Sequence, residues 1–184
     1  MKKIICLMFC FFLLGGCQPP NIPLFSVTDY KNEDKIRLNV NSFQVENGTV
    51  YYTELPHIET RIPVVPATAL KQALVNHFDA VNPNTNIGLR IIIDEASLTQ
   101  NFKESDKWYI QNNIEYRLDY QVKIVYEKNA IPFETQTIQG WEFQALPKRS
   151  SLSEKQQVWE KMINEMIRKI TEKIQKDIPP ILFQ

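Results

Sequence analysis

The sequence predicts an α+β fold, in which two helices pack on one face of a mainly antiparallel sheet. Alternating apolar residues predict several strands, and apolar residues at three- and four-residue spacing predict two helices. Their order along the chain is strand or hairpin, helix, three strands and helix, which is typical of an α+β sandwich rather than of a repeating βαβ architecture. Residues 25–184 are enough to bury one ordinary core, so we expect a single domain.

The first residues have the three parts of a secretory signal peptide. Lys2 and Lys3 give the charged region, residues 4–14 the apolar region, and Gly15 and Gly16 the small residues before a cleavage point. The alternative is a membrane-spanning helix, which takes about 20 apolar residues. This run is shorter and is followed by prolines 19–20, so we interpret it as a signal peptide.

The tetrapeptide Leu14-Gly15-Gly16-Cys17 resembles the lipobox of bacterial lipoproteins. The resemblance implies cleavage before Cys17, a diacylglycerol thioether on its sulfur and acylation of its new amino group, for example with palmitate. Two or more acyl chains give stable membrane attachment, whereas one chain gives only marginal binding. The organisation predicted on this basis is a signal peptide at residues 1–16, a lipidated proline-rich tether at 17–24, and a periplasmic domain at 25–184.

The residue after the cysteine bears on which membrane holds the anchor. Gln18 is not the aspartate that resembles an inner-membrane retention signal. We therefore expect a lipid anchor in the outer membrane with the domain facing the periplasm, and the inner membrane stays open as the alternative.

The first half of the domain is predicted to contain two short strands, a connector and a helix. Residues 36–40 alternate between apolar and polar side chains, Asn47-Gly48 suits a tight hairpin turn, and residues 49–53 can return as a second strand. The connector that follows, residues 55–66, contains three prolines. The apolar spacing after Pro66 predicts a helix over residues 66–81.

The second half is predicted to contain three strands and a long helix. Residues 89–94 are almost continuously apolar, which favours a central strand covered on both faces. Residues 114–126 alternate strictly, and residues 133–143 are expected to return as their antiparallel partner. Ser151 and Glu154 have the spacing of a capping box, and a regular apolar stripe follows until prolines 179–180 end the helix.

Composition excludes several classes of function. The 21 Lys and Arg residues balance 21 Asp and Glu residues, which removes the long-range field of a nucleic-acid binder. All three cysteines lie at or before residue 17, so the mature body has no thiol for a disulfide or for thiolate chemistry. The only histidines, His57 and His77, belong to no zinc motif. We expect no metal, no cofactor and no nucleic-acid partner.

No catalytic motif appears, and we expect a protein that is not an enzyme. The pair Asp94-Glu95 is the densest carboxylate cluster near a predicted buried strand, but adjacent strand residues point to opposite faces. His57 near Glu59 is a candidate binding pair, for which a solvated loop histidine is the favoured interpretation. We interpret His77, on the apolar face of the first helix, as a partly buried structural residue.

Aromatic residues provide the candidate contact sites. The tyrosines Tyr116, Tyr120 and Tyr126 either belong to the core, which is the favoured interpretation, or line a groove between the sheet and the last helix. Trp108 and Tyr109 lie beside a charged loop and are the candidate partner contact, with packing at the strand start as the alternative.

The order of elements resembles the periplasmic domains of the LPS-assembly lipoprotein and of ABC-transport auxiliary lipoproteins, at the level of fold alone. The anchor and the missing catalytic motif predict a structural or adaptor lipoprotein in envelope assembly or transport. Its expected partners are the membrane, through the acyl chains on Cys17, and an envelope protein complex. The alternatives are a lipoprotein that binds a lipid or small ligand in an aromatic groove, and a hydrolase with dispersed catalytic residues.

Overall fold

A computed structural model describes residues 26–28, 30, 35–104 and 112–183, and in this part of the chain six strands and two α-helices are present. In chain order the elements are β1 (Ile36–Leu38), β2 (Ser42–Asn47), α1 (Pro66–His77), β3 (Phe78–Ala80), β4 (Ile87–Lys103), β5 (Asn113–Lys128), β6 (Ile131–Pro147) and α2 (Leu152–Asp177), followed by a 3₁₀ turn (Pro180–Leu182).

The main sheet has four strands in the order β2-β4-β5-β6. Both β4·β5 and β5·β6 are antiparallel, whereas β2 runs parallel to β4. The short strands β1 and β3 form a separate parallel pair. The predicted α+β fold with a mainly antiparallel sheet is therefore confirmed, and so is the antiparallel return of residues 133–143 beside residues 114–126.

Both helices begin at the residues that the sequence predicts as helix starts. Pro66 opens α1, where its missing N–H and fixed φ cost nothing. At the start of α2 the Ser151 hydroxyl accepts from the Glu154 backbone N–H at 3.2 Å. The Ser151 N–H in turn donates to the Glu154 carboxylate at 2.7 Å, which completes the predicted capping box.

One face of the sheet and both helices share a single apolar core. Helix α1 lies against β2 and β4, α2 lies against β5 and β6, and the helices contact each other. From β5 the core takes every second residue, which is the alternation seen in the sequence. The buried apolar residues of α2 are Trp159, Met162, Ile163, Met166, Ile167, Ile170 and Ile174.

The predicted hairpin at Asn47-Gly48 is wrong. Residues 48–53 form no strand, and neither Asn47 nor Gly48 has the positive φ that the tight turn requires. The Gly48 N–H instead donates to the Ile93 carbonyl at 2.9 Å, so the chain continues along the edge of β4. The parallel pairing of β2 with β4 therefore decides the course of the chain here, although Asn47-Gly48 alone favours a tight turn.

Two other predicted elements have different limits. The predicted strand at residues 36–40 ends at Leu38, and a bend separates it from β2. The predicted helix ends at His77, because Phe78–Ala80 pair with β1 as strand β3.

The prediction that both faces of residues 89–94 are covered is wrong. The side chains of Leu89, Ile91 and Ile93 are buried in the core, whereas those of Arg90 and Ile92, on the other face, remain half-exposed. No layer of the described chain covers this second face, since both helices pack on the first one.

Two predicted features concern the membrane and the ends of the chain. Among the described residues, none of the helices has the length and apolar character needed to cross a bilayer. The signal peptide, the proline-rich tether and Cys17 lie outside the described residues, as do the candidate contacts Trp108 and Tyr109.

Candidate functional site

The face of the main sheet that points away from the helices is the candidate functional site, and we call it the open face. It is formed by alternate residues of β4, β5 and β6. Its members include Arg90, Ile92, Asp94, Glu95, Arg117, Asp119, Gln121, Lys123, Thr137, Gln139, Trp141 and Phe143. One face of an antiparallel sheet is commonly solvated, and a cluster of exposed apolar side chains with a polar rim on such a face is typical of an interaction site.

Two large aromatic residues dominate the end of the open face on β6. The side chain of Trp141 is 58% exposed and that of Phe143 is 45% exposed. Strand register places Trp141 beside Asp119 and Phe143 beside Arg117 on the neighbouring strand β5. The Arg117 guanidinium lies 5.4 Å from the centre of the Trp141 ring, a cation–π distance. It also donates to the Asp119 carboxylate at 2.7–2.9 Å, so these groups form one ordered patch.

A shallow depression of about 390 Å³ lies next to this patch. Its lining combines the Trp141 ring with carboxylate and amide side chains from all three long strands, namely Glu95, Asp119, Gln121 and Gln139. Large aromatic residues surrounded by hydrogen-bonding groups are the composition found at protein contact sites. The open face therefore offers both apolar area and directional polar groups.

The prediction that Asp94 and Glu95 point to opposite faces is wrong, because a β-bulge lies between Ile93 and Glu95. The extra residue brings both carboxylates to the open face. Asp94 pairs with Lys123 at 2.9 Å and accepts from Gln121 at 3.2 Å.

The second carboxylate of this pair, Glu95, accepts from the Ser97 hydroxyl at 3.0 Å. The bulge thus places two carboxylates on one surface, each held by neighbouring side chains. Among the described residues, no group of three or more His, Cys, Asp or Glu side chains is arranged to hold a metal.

His57 and Glu59 lie on the connector, and the structure does not support the interpretation of a solvated loop. The connector packs along the edge of β4, where the Ile58 N–H donates to the Leu98 carbonyl at 2.8 Å. Glu59 is fully buried and accepts from the Tyr52 N–H at 3.4 Å. His57 Nδ1 lies 3.6 Å from Glu59 Oε1, so the two side chains are brought together inside the connector.

His77 is a buried structural residue at the end of α1, as predicted. Its Nε2 lies 2.8 Å from the Gln175 side-chain amide on α2, which links the ends of the two helices. The ring of Tyr30 stacks on the other side, with 4.1 Å between ring centres.

The three tyrosines of β5 belong to the core, which was the favoured interpretation. Tyr116, Tyr120 and Tyr126 are all buried, and Tyr116 packs edge-to-face on Trp159 of α2. Burial, with the nearby Glu142 carboxylate as a further cause, raises the pKa of Tyr120 to about 12. Burial also raises the pKa of Tyr126 to about 12. These rings fill the space that an aromatic groove between β5 and α2 would need.

Residues 26–28 and 30, which precede β1, contact the helical layer, a feature that the sequence did not reveal; we call them the N-terminal segment. The Thr28 N–H donates to the Asn164 side-chain oxygen at 2.7 Å, and the Asn164 amide donates to the Ser26 carbonyl at 3.2 Å. Tyr30 contacts His77 at the end of α1, so the described residues of this segment touch both helices. Its attachment is therefore on the side of the sheet opposite the open face.

Comparison with known proteins gives similarity to solved structures only. No family model and no curated protein matches the chain. A minor lipoprotein from Acinetobacter baumannii is 17% identical, with 76% of this chain and 94% of that chain covered and a TM-score of 0.39. The rare lipoprotein B from Shewanella oneidensis is 18% identical, with 72% and 94% covered and a TM-score of 0.37.

A neuraminyllactose-binding hemagglutinin homologue from Helicobacter pylori is 9% identical, with 80% of this chain and 88% of that chain covered and a TM-score of 0.49. Several of the similar structures are thus bacterial lipoproteins.

Proposed function

We propose that this chain is a lipid-anchored, non-enzymatic lipoprotein that serves as a structural or adaptor subunit in envelope assembly or transport, and that it contacts its partner through the open face. The acyl chains on Cys17 would attach it to the outer membrane. The observation that carries the proposal is the placement of the N-terminal segment on the helical layer, opposite the open face.

The length of the tether defines how the body sits relative to the bilayer. Nine peptide units separate Cys17 from Ser26, and an extended chain covers at most about 3.5 Å per unit, so Ser26 stays within about 30 Å of the anchor. Because Ser26 is bound on the helical layer, the tether would leave the body from that layer, which favours an orientation with the helices toward the bilayer. The open face is then directed away from the bilayer, where a periplasmic partner can reach it.

The surface chemistry of the open face supports a protein partner. Exposed Trp141 and Phe143 can supply the apolar anchors of an interface, and the ordered Arg117–Asp119 pair can supply its polar rim. The carboxylates of the open face are paired with, or accept hydrogen bonds from, neighbouring side chains, which suits recognition better than acid–base chemistry.

The anchor is tested by labelling cells with palmitate, with and without globomycin, followed by membrane fractionation. We expect the label in the membrane-bound chain, and we expect Cys17→Ser to abolish label, cleavage and sedimentation with membranes. A Cys17→Ser chain that is processed and sediments as before would refute the anchor.

The partner surface is tested with a photo-crosslinking amino acid at Gln139 on the open face, matched with one at Lys161 on the outside of α2. Both side chains are exposed. We expect from position 139 a crosslinked envelope protein whose mass differs from that of a dimer of this chain, and none of the same mass from position 161. Equal crosslinking from both positions would refute the assignment of the open face.

A further inference from the structure

The outer edge of β6 is a long strand edge whose charged side chains between Phe133 and Leu146 are limited to Glu134 and Glu142. Strand β6 is outermost in the sheet and spans 17 residues. Within the described chain, no backbone hydrogen bond joins its outer side to another segment. Proteins usually protect such edges with lysine, proline or a covering loop, because an open edge can pair with another strand. The residues from Phe133 to Leu146 include no lysine, arginine or proline.

The opposite edge of the same sheet is protected. Strand β2 spans only six residues, and beyond it the connector takes over the edge of β4. There the Ile58 N–H donates to the Leu98 carbonyl, and the Gln100 N–H donates to the Pro56 carbonyl at 2.7 Å. The contrast between the two edges indicates that β6 is left open for a strand partner.

We propose that β6 pairs antiparallel with β6 of a second copy of this chain, around a twofold axis that passes beside Glu142 and is perpendicular to the sheet. In this register Trp141 lies directly opposite Phe143 of the second copy, and the pair occurs twice. Directly opposite residues of an antiparallel pair share one face, so the four rings come together on the open face. The two four-stranded sheets would then continue as one.

The residues along β6 are compatible with this register. Aromatic pairs across strands are favourable, and pairing would join the exposed rings of the two copies into one larger apolar patch on the open face, which stays available to the partner proposed above. The twofold places Glu142 opposite its own copy on the helix side. That carboxylate is already held by Lys169 at 2.6 Å, which offsets the repulsion between the two carboxylates.

The direction of the axis also suits two anchored chains. A twofold perpendicular to the sheet keeps both helical layers, and therefore both N-terminal segments, on the same side. Both lipid anchors could then enter one bilayer; this argument rests on the anchoring proposed above, whereas the strand pairing does not. About 11 paired residues give an interface about 37 Å long, which is small for a stable dimer in solution. Tethering of both copies in one membrane would raise their local concentration and so compensate for the weak pairing.

The test is disulfide crosslinking of the full chain in cells, with Gln139→Cys and Ala145→Cys combined. Both side chains are exposed, and residues 139 and 145 of the two copies lie opposite each other in the proposed register. Opposite residues have Cα atoms about 4.5–5.5 Å apart, which fits a disulfide. All natural cysteines lie at or before residue 17, so no other thiol of the mature body competes.

We expect a covalent dimer on non-reducing electrophoresis from the double variant and only traces from either single variant. Adding Phe143→Lys to the double variant should reduce the dimer by about tenfold, because an aromatic pair is lost and a lysine protects the edge. A double variant that stays monomeric, or single variants that crosslink as well as the double one, would overturn the pairing.

Palmitate label measured on the same gels separates the two proposals. A labelled chain that gives no dimer refutes the pairing and leaves the anchor intact. A dimer from unlabelled chain that requires both introduced cysteines supports the pairing and refutes the anchor.

Discussion

The close contact between Gly140 and Tyr120 gives a sharp test of how β5 and β6 pack. The two residues lie directly opposite each other in the β5·β6 register. A Cβ atom added at Gly140 would lie 2.5 Å from the Tyr120 hydroxyl oxygen, 2.7 Å from Cζ and 2.9 Å from Cε2. Real Cβ contacts are longer than this, so Gly140→Ala must displace a ring that is buried and cannot simply move into solvent.

The expected size of the effect follows from two opposing contributions. Inserting a methyl group into a packed core costs about 1–3 kcal/mol. Replacing glycine in a strand recovers about 0.5–1 kcal/mol, since alanine loses less conformational freedom on folding. We therefore expect Gly140→Ala to lower the free energy of unfolding by about 1.5 kcal/mol, which corresponds to a melting temperature about 3–6 °C lower.

Urea denaturation of purified protein, followed by circular dichroism, measures this difference at unchanged m value. Gly48→Ala is the matched control, because the nearest atoms to its added Cβ lie at 3.5 and 3.6 Å. A double-mutant cycle with Tyr120→Leu, which removes the ring, should show that the two changes are coupled. A Gly140→Ala protein as stable as the Gly48→Ala control, or a cycle with zero coupling, would refute the reasoning.

Three further predictions concern the helix cap, the tyrosines and the N-terminal segment. Ser151→Ala should lower the free energy of unfolding by about 1 kcal/mol in urea denaturation, because the Glu154 N–H loses its acceptor, and an unchanged midpoint would contradict it. Burial raises the pKa of Tyr120 and Tyr126 to about 12 in the folded state, above the ordinary value of 10.0. Their contribution to the free energy of unfolding is therefore fully present below pH 10 and is lost as the pH rises toward 12. Ultraviolet absorbance of tyrosinate should show their ionisation together with unfolding, and ionisation of all tyrosines near pH 10 without unfolding would contradict this. Asn164→Ala removes both hydrogen bonds to the N-terminal segment and leaves only its Tyr30–His77 contact, so limited proteolysis there should become faster while the core stays resistant; an unchanged cleavage rate would show that the hydrogen bonds do not hold the segment.

The elements that depend on local signals could be predicted from the sequence. The capping box at Ser151 and the apolar stripe behind it define a helix whatever it packs against. The strict alternation along β5 identifies a strand and also its buried face, because period two assigns every second residue to one side.

The features that were missed depend on distant parts of the chain. The Asn47-Gly48 turn preference is local, whereas the edge of β4 that replaces it is supplied by residues more than 40 positions later. The bulge at Asp94 changes which face a carboxylate occupies without any glycine or proline to indicate it.

The exposure of Trp141 was also beyond prediction from the sequence. An aromatic residue in an alternating strand is equally consistent with either face, and only the placement of both helices on the other face leaves the ring exposed. For the same reason the open face as a whole could not be recognised before the layers were known.

The short attachment of residues 26–28 to α2 also has a mechanical consequence for an anchored chain. A force applied through the lipid anchor would act on the two hydrogen bonds at Asn164 before it acted on any strand of the main sheet. Releasing the contacts of residues 26–28 and 30 would free the nine peptide units between Ser26 and Lys35, which could extend the tether by at most about 30 Å, with loss of the packing of Val27 and Tyr30 on the core. In an anchored chain the maximum distance between the lipid and the body would then rise from about 30 Å to about 60 Å.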